Sequence, residues 1–273
     1  MNDLKKAQWR AMLKDTVLKE LRSKTLIFIF IATTLVIFLA HTLLKIFISN
    51  NEGSALTING ASSLSLMFTM INAWSVIIAG IFGISSIRSD FKDNIIYQYL
   101  AFPISRTQYM FSRIIGTWIL VYSYYLYSYF LSAILFSIAT HSSALNWNHL
   151  VSMLIMGLYV FIIIFISFLF SLVANQIGAF LLLLTTISII SISTNTFRVL
   201  EFSDYLKNLN IFKGIGLIIY CFLPRVSLIA ELAGNVLSKE AITLNLGLEF
   251  LHMLVTTSAF IFIADRMVQK KNF

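Results

Sequence analysis

Six runs of about twenty or more predominantly apolar residues, parted by polar or charged connectors, leave this chain few folds to choose from. They cover residues 25–48, 64–87, 114–139, 150–173, 177–196 and 241–264. A helix needs about 20 such residues to cross the hydrocarbon core of a bilayer. Inside lipid every backbone N–H and C=O must be satisfied within its own segment, so each run is expected to be helical. Composition points the same way. The chain is 58% hydrophobic and only 12% charged, where soluble domains carry roughly 25% charged residues. The expected fold is an all-α polytopic membrane protein, a single transmembrane domain over residues 1–273 with six membrane-spanning helices.

The net charge of +8 would suggest nucleic acid if the cations were clustered on a soluble surface. They lie between the spans, so they report orientation and contact with lipid headgroups, and no nucleic-acid partner is expected. Seven Lys or Arg precede the first span, four lie in residues 88–113 and three follow the last span, fourteen of the twenty in all. The connectors 49–63 and 140–149 hold none. By the positive-inside rule, both termini and residues 88–113 are expected to be cytoplasmic, in a multi-pass protein of the cell (inner) membrane. Residues 1–24 read as an interfacial helix, with Trp9, Met12, Leu13, Thr16 and Val17 on one side and Asp15, Lys19 and Arg22 opposite. No break separates this segment from the first run, which is too long for a signal-peptide core.

Two connectors are long. Residues 197–240 are placed on the extracytoplasmic side as a mixed segment. Within it, 211–223 is apolar but too short to span, so it reads as a re-entrant or interfacial helix ended by Pro224. Residues 88–113 form a charged island between the second and third spans.

No P-loop, zinc-protease, serine-hydrolase or paired-cysteine motif occurs, so catalysis, a bound metal and a cofactor are not expected in this chain. His141 and His149 share one connector and read as solvated polar residues. The spans carry polar stripes at helical spacing: Asn72 among Ser65, Thr69 and Ser75; Tyr122, Tyr125 and Tyr129; Ser188, Ser191 and Asn195; and Glu249 and His252, flanked by Asn245 and Thr256. Such residues either join helices or line a translocation path. An ionisable residue within a span is costly, so Glu249 is expected to face a cavity or the segment 197–240, balanced by His252, Arg198 or Arg225.

The order Asp90, Asn94, Leu100, Pro103-Ile104-Ser105-Arg106, Ser112-Arg113 resembles the signature of ABC-2 type transporter permeases. Asp90 stands where that family has Glu, Asn94 and Ser112 where it has Gly, and Arg113 where it has Lys. The resemblance implies a permease subunit that is not itself an enzyme. It also implies a second permease copy (homodimer or close paralogue), two cytoplasmic ABC ATPase subunits carrying ATP and Mg, and room for a periplasmic partner. Export is the expected direction. The island then becomes a coupling segment, with a short helix from Asp90 that sets Phe91, Ile95 and Tyr99 on one side and ends at Pro103. Asp90, Phe91, Asn94, Ile95, Tyr99, Pro103 and Arg106 are its expected contact residues. The competing reading is a stand-alone secondary transporter or channel using Glu249 and His252 for proton coupling.

Overall fold

The computed structural model describes residues 2–50, 60–92, 104–140, 146–199, 210–238 and 246–270. Among them every regular element is helical: α1 (Asn2–Leu21), α2 (Lys24–Asn50), α3 (Gly60–Lys92), α4 (Arg106–Thr140), α5 (Trp147–Val173), α6 (Gln176–Val199), α7 (Ile211–Phe222), α8 (Val226–Ser238) and α9 (Leu246–Lys270). Six of these helices, α2 to α6 and α9, are long and apolar enough to cross a membrane. This is the expected all-α polytopic fold. Some ends differ from the expectation. α3 runs on through Lys92 and α4 starts at Arg106, because the charges there find partners and nothing in those stretches breaks a helix. α9 likewise continues past Ala264, with Asp265 taking hydrogen bonds from Thr107 and Gln269.

α5 sits at the centre, packed against α3, α4, α6, α8 and α9. Its sequence is apolar on all sides, which suits a helix surrounded by others. Of its crossing segment 67% is buried, against 11% for α2 and 17% for α9. Those two helices present Phe28, Ile31, Leu35, Leu251 and Val255 outward, as lipid-facing helices do. Gly83 lets α3 approach α5 at backbone distance. A Cβ there would lie 2.8 Å from Ser167 Cβ and 3.0 Å from the Ile164 carbonyl oxygen, so the pair depends on a small residue.

Pro224 breaks the apolar run after α7. It forces Leu223 into an extended conformation (φ −92°, ψ 147°), and α8 leaves at 68° to α7. α8 was not foreseen: Glu231 and Gly234 obscure its apolar face in the sequence, yet Val226, Leu228, Ile229 and Ala233 are buried. Ser152 Oγ, near the start of α5, donates to the Ala233 carbonyl at 2.9 Å. Ser193, near the end of α6, donates to the Gly216 carbonyl at 2.8 Å. The α7–α8 pair is therefore anchored to the half of the bundle where α6 ends and α9 begins. Neither helix of the bent pair is long enough to cross by itself; the pair is either one broken span or a re-entrant loop beside the six long crossing helices.

Candidate functional site

The other half of the bundle collects charge. Tyr109 and Arg113 are four residues apart on α4, and Thr16 and Glu20 four apart on α1, so each pair shares a face. α1 and α4 come close at Gly116, where a Cβ would lie 2.8 Å from Thr16 Cβ. Asp90, in the last turn of α3, is fully buried between them. Its Oδ1 receives Lys19 Nζ at 2.7 Å, and its Oδ2 receives the Tyr109 hydroxyl at 2.6 Å. Arg113 Nη2 lies 2.7 Å from the same Oδ2. Arg113 Nη1 donates to Thr16 Oγ1 at 2.9 Å and lies 3.6 Å from Asp15 Oδ2. A carboxylate taken out of water survives only when paired and hydrogen-bonded, and this one is. Glu20 is also buried. Desolvation raises its pKa, Lys19 and Arg113 pull it down, and Asp90 pushes it up again.

The cluster holds the two flanks of segment 93–103. On one flank are Asp90 and Phe91; on the other, Ile104 packs with Phe91 on Met12 and Tyr109. Arg106 Nη1 donates to the Gln269 carbonyl at 2.7 Å and the Val268 carbonyl at 3.3 Å, satisfying the end of α9. Arg88 donates to the Ala174 carbonyl in the α5–α6 turn. Asn94, Ile95, Tyr99 and Pro103 lie outside the described residues. Asp90 does not open a separate short helix, since α3 continues through it to Lys92. Nor does it present a surface to a partner. Its carboxylate is buried where two donors, Lys19 and Tyr109, and the Arg113 guanidinium converge on it from two other helices.

Tyr122, Tyr125 and Tyr129 face inward toward α3 and α5. Tyr122 donates to the Met153 carbonyl at 3.3 Å, and Tyr129 stacks on Phe68 at 3.8 Å. The hydroxyls of Tyr125 and Tyr129 and the Asn72 Oδ1 are buried without a hydrogen-bond partner among the described residues. Tyr124 and Tyr127 turn the other way and bond Thr33 and Thr34 of α2. His149 is buried beside Phe68 and Tyr129 with its Nδ1 3.0 Å from Asn146 Oδ1, so the solvated reading of it is corrected. His141 lies outside the described residues. On α6, Ser188 and Asn195 point out of the chain and Ser191 is half-buried, while Ser193 and Thr194 turn inward.

At the far end, Arg225 Nη1 donates to both Glu249 oxygens at 2.8 Å. The Arg225 guanidinium lies 3.6 Å from the Tyr220 ring centre. His252 Nε2 lies 2.9 Å from the Cys221 carbonyl oxygen, and Thr256 bonds back to the His252 carbonyl. The stripe on α9 thus faces the α7–α8 bend, and each ionisable group has its own partner. Glu249 stands in the first turn of α9, nearer the helix end than the apolar run suggested.

Lys19, Tyr109 and Glu20 were missed as members of a cluster. The helical wheel of α1 placed Lys19 on its polar side, and only the approach of α3 turns that side into an interior. The one available signal was Asp15 and Lys19 at i, i+4 beside a basic segment that also contained a carboxylate. No match appears among curated proteins. The family model described as ABC-2 family transporter protein matches residues 16–177, over half of the chain, and includes Asp90 with Lys19, Tyr109 and Arg113. The multi-pass membrane fold and this match together show that the chain belongs to the ABC-2 family of transporter proteins, as a transmembrane permease.

Proposed function

We propose that this permease is the membrane-spanning part of an ATP-driven exporter of the cell (inner) membrane, coupled through segment 93–103 to two cytoplasmic ABC ATPase subunits. ATP and Mg belong to those subunits. Both termini and the Asp90 end of the bundle face the cytoplasm, and residues 197–240 face outward. The observation that carries the reading is the buried Asp90 cluster. It ties both flanks of an eleven-residue segment to α1, α3 and α4, and Arg106 extends the tie to α9. A force applied to that segment moves these helices together, since a packed, ion-paired cluster does not deform locally. Asp90 and Arg106 act here as positioning residues, while Asn94, Ile95, Tyr99 and Pro103 meet the ATPase.

Two copies of the chain form the path. The outward Ser188 and Asn195 on α6 support this, because polar groups facing lipid are unfavourable and a second copy would cover them. The stand-alone transporter reading loses ground, because Glu249 is bonded to Arg225 and His252 to a backbone carbonyl.

Co-purification tests the coupling. The tagged chain from its native membranes brings down a P-loop ATPase whose hydrolysis changes on reconstitution. Orientation is tested with single cysteines. Asn51→Cys and Ser143→Cys react with an impermeant thiol reagent in intact cells, whereas Lys6→Cys and Lys270→Cys do not; the reverse pattern inverts the topology.

A further inference from the structure

A cavity of about 560 Å³ lies between α5, α8 and α9, at the opposite end from the Asp90 cluster. Ligand sites commonly hold roughly 300–1,000 Å³. Leu154 and Leu158 of α5, Leu228 and Leu232 of α8, and Phe250 and Met253 of α9 form its wall. Arg225 and Glu249 bring charge to this apolar space. Glu249 is close to the start of the crossing segment Gly247–Lys270, which sets the ion pair at the membrane edge. On the other flank of Leu154 and Leu158, an apolar groove of about 440 Å³ runs between α4 and α5 past Trp118 and Phe161. The two leucines border both spaces and form a ridge between them.

The ion pair is held so that part of each partner remains for a ligand. Arg225 Nε donates to the Tyr220 carbonyl at 3.1 Å, and Nη1 serves both Glu249 oxygens. These bonds leave the two hydrogens of Nη2 outside them, and each Glu249 oxygen keeps a lone pair beyond the Nη1 bond. One side of the pair suits an anion and the other a cation, with apolar walls below. We propose that this site binds one zwitterionic phospholipid, its phosphate on Arg225, its ammonium on Glu249, and its two acyl chains on either side of the Leu154–Leu158 ridge. The inference rests on membrane insertion alone and not on coupling to an ATPase.

The full chain, purified in detergent and exchanged into micelles doped with equal amounts of phosphatidylethanolamine and phosphatidylglycerol, tests this by native mass spectrometry. The wild type is expected to retain one lipid per chain, with phosphatidylethanolamine preferred. Leu232→Trp fills the cavity and keeps the ion pair, and it lowers retention about tenfold. Glu249→Gln leaves the Arg225 charge unbalanced, so the retained lipid shifts toward phosphatidylglycerol. Retention in proportion to micelle composition and unchanged in both variants would identify ordinary boundary lipid and overturn the proposal. Loss of retention in Leu232→Trp without any headgroup preference in the wild type would overturn the zwitterion assignment. Neither outcome depends on whether an ATPase is present.

Discussion

Asp90 and Glu249 each accept from a cation, yet their surroundings differ. Asp90 is wholly buried, and its three partners come from α1 and α4. Glu249 keeps 24% of its side chain exposed and leans on one arginine. A buried charge network is stable only when complete, whereas a pair that keeps part of each side chain exposed loses less when one partner is removed. The first arrangement suits a rigid joint and the second a site that exchanges ligands. Asp90, Lys19, Tyr109 and Arg113 lie inside the residues matched by the family model, and the Arg225–Glu249 end lies beyond them.

The comparison breaks first at Asp90. Asp90→Ala leaves Lys19 and Arg113 facing a void, and it is expected to cost about 3–5 kcal/mol. The measurement is the unfolding midpoint in detergent, where the variant should unfold well below the wild type or fail to accumulate. A wild-type midpoint would mean that the cluster is not a joint. Gly116→Ala comes next. The added methyl meets Thr16 at 2.8 Å, and overpacking of this kind costs about 1–3 kcal/mol. It should also loosen α1 from α4, which limited proteolysis near residues 21–24 would report.

Glu249→Gln should cost less stability than Asp90→Ala, because Glu249 keeps 24% of its side chain exposed, while reducing transport in reconstituted vesicles. Equal transport in Glu249→Gln and His252→Ala would reduce the α9 stripe to helix packing. The smallest effect is at Glu20, and it depends on pH. Burial raises its pKa in the folded chain above the ordinary 4.5. Below that value both states are protonated and nothing is lost. As pH rises, the unfolded chain ionises first, so stability falls until the folded group also ionises. Glu20→Gln removes that fall. Its midpoint should match the wild type in acid and exceed it at neutral pH; a gain already present at pH 4 would contradict the assignment.

The six crossing helices were legible because lipid imposes one rule on every span, and long apolar runs such as 150–173 follow it. The family signature was legible as well, being local in sequence. A counter-charge for Glu249 was legible because an intramembrane carboxylate demands one, and of the three candidates His252, Arg198 and Arg225 it is Arg225 that bonds it. α8 was obscured by a glutamate and a glycine among its apolar residues. The Asp90 cluster was only half visible, because its members come from positions seventy residues apart and Lys19 looks like any surface lysine until α3 is laid beside it. His149 was misread for a similar reason: a connector position became the buried first turn of α5.

Coupling through segment 93–103 is the central claim, and a photo-crosslinking residue in place of Tyr99 tests it most directly. In native membranes under illumination, a covalent adduct with a P-loop ATPase is expected, and its yield should change when nucleotide is added. Adducts with lipid or with this chain alone, and none with an ATPase, would contradict it.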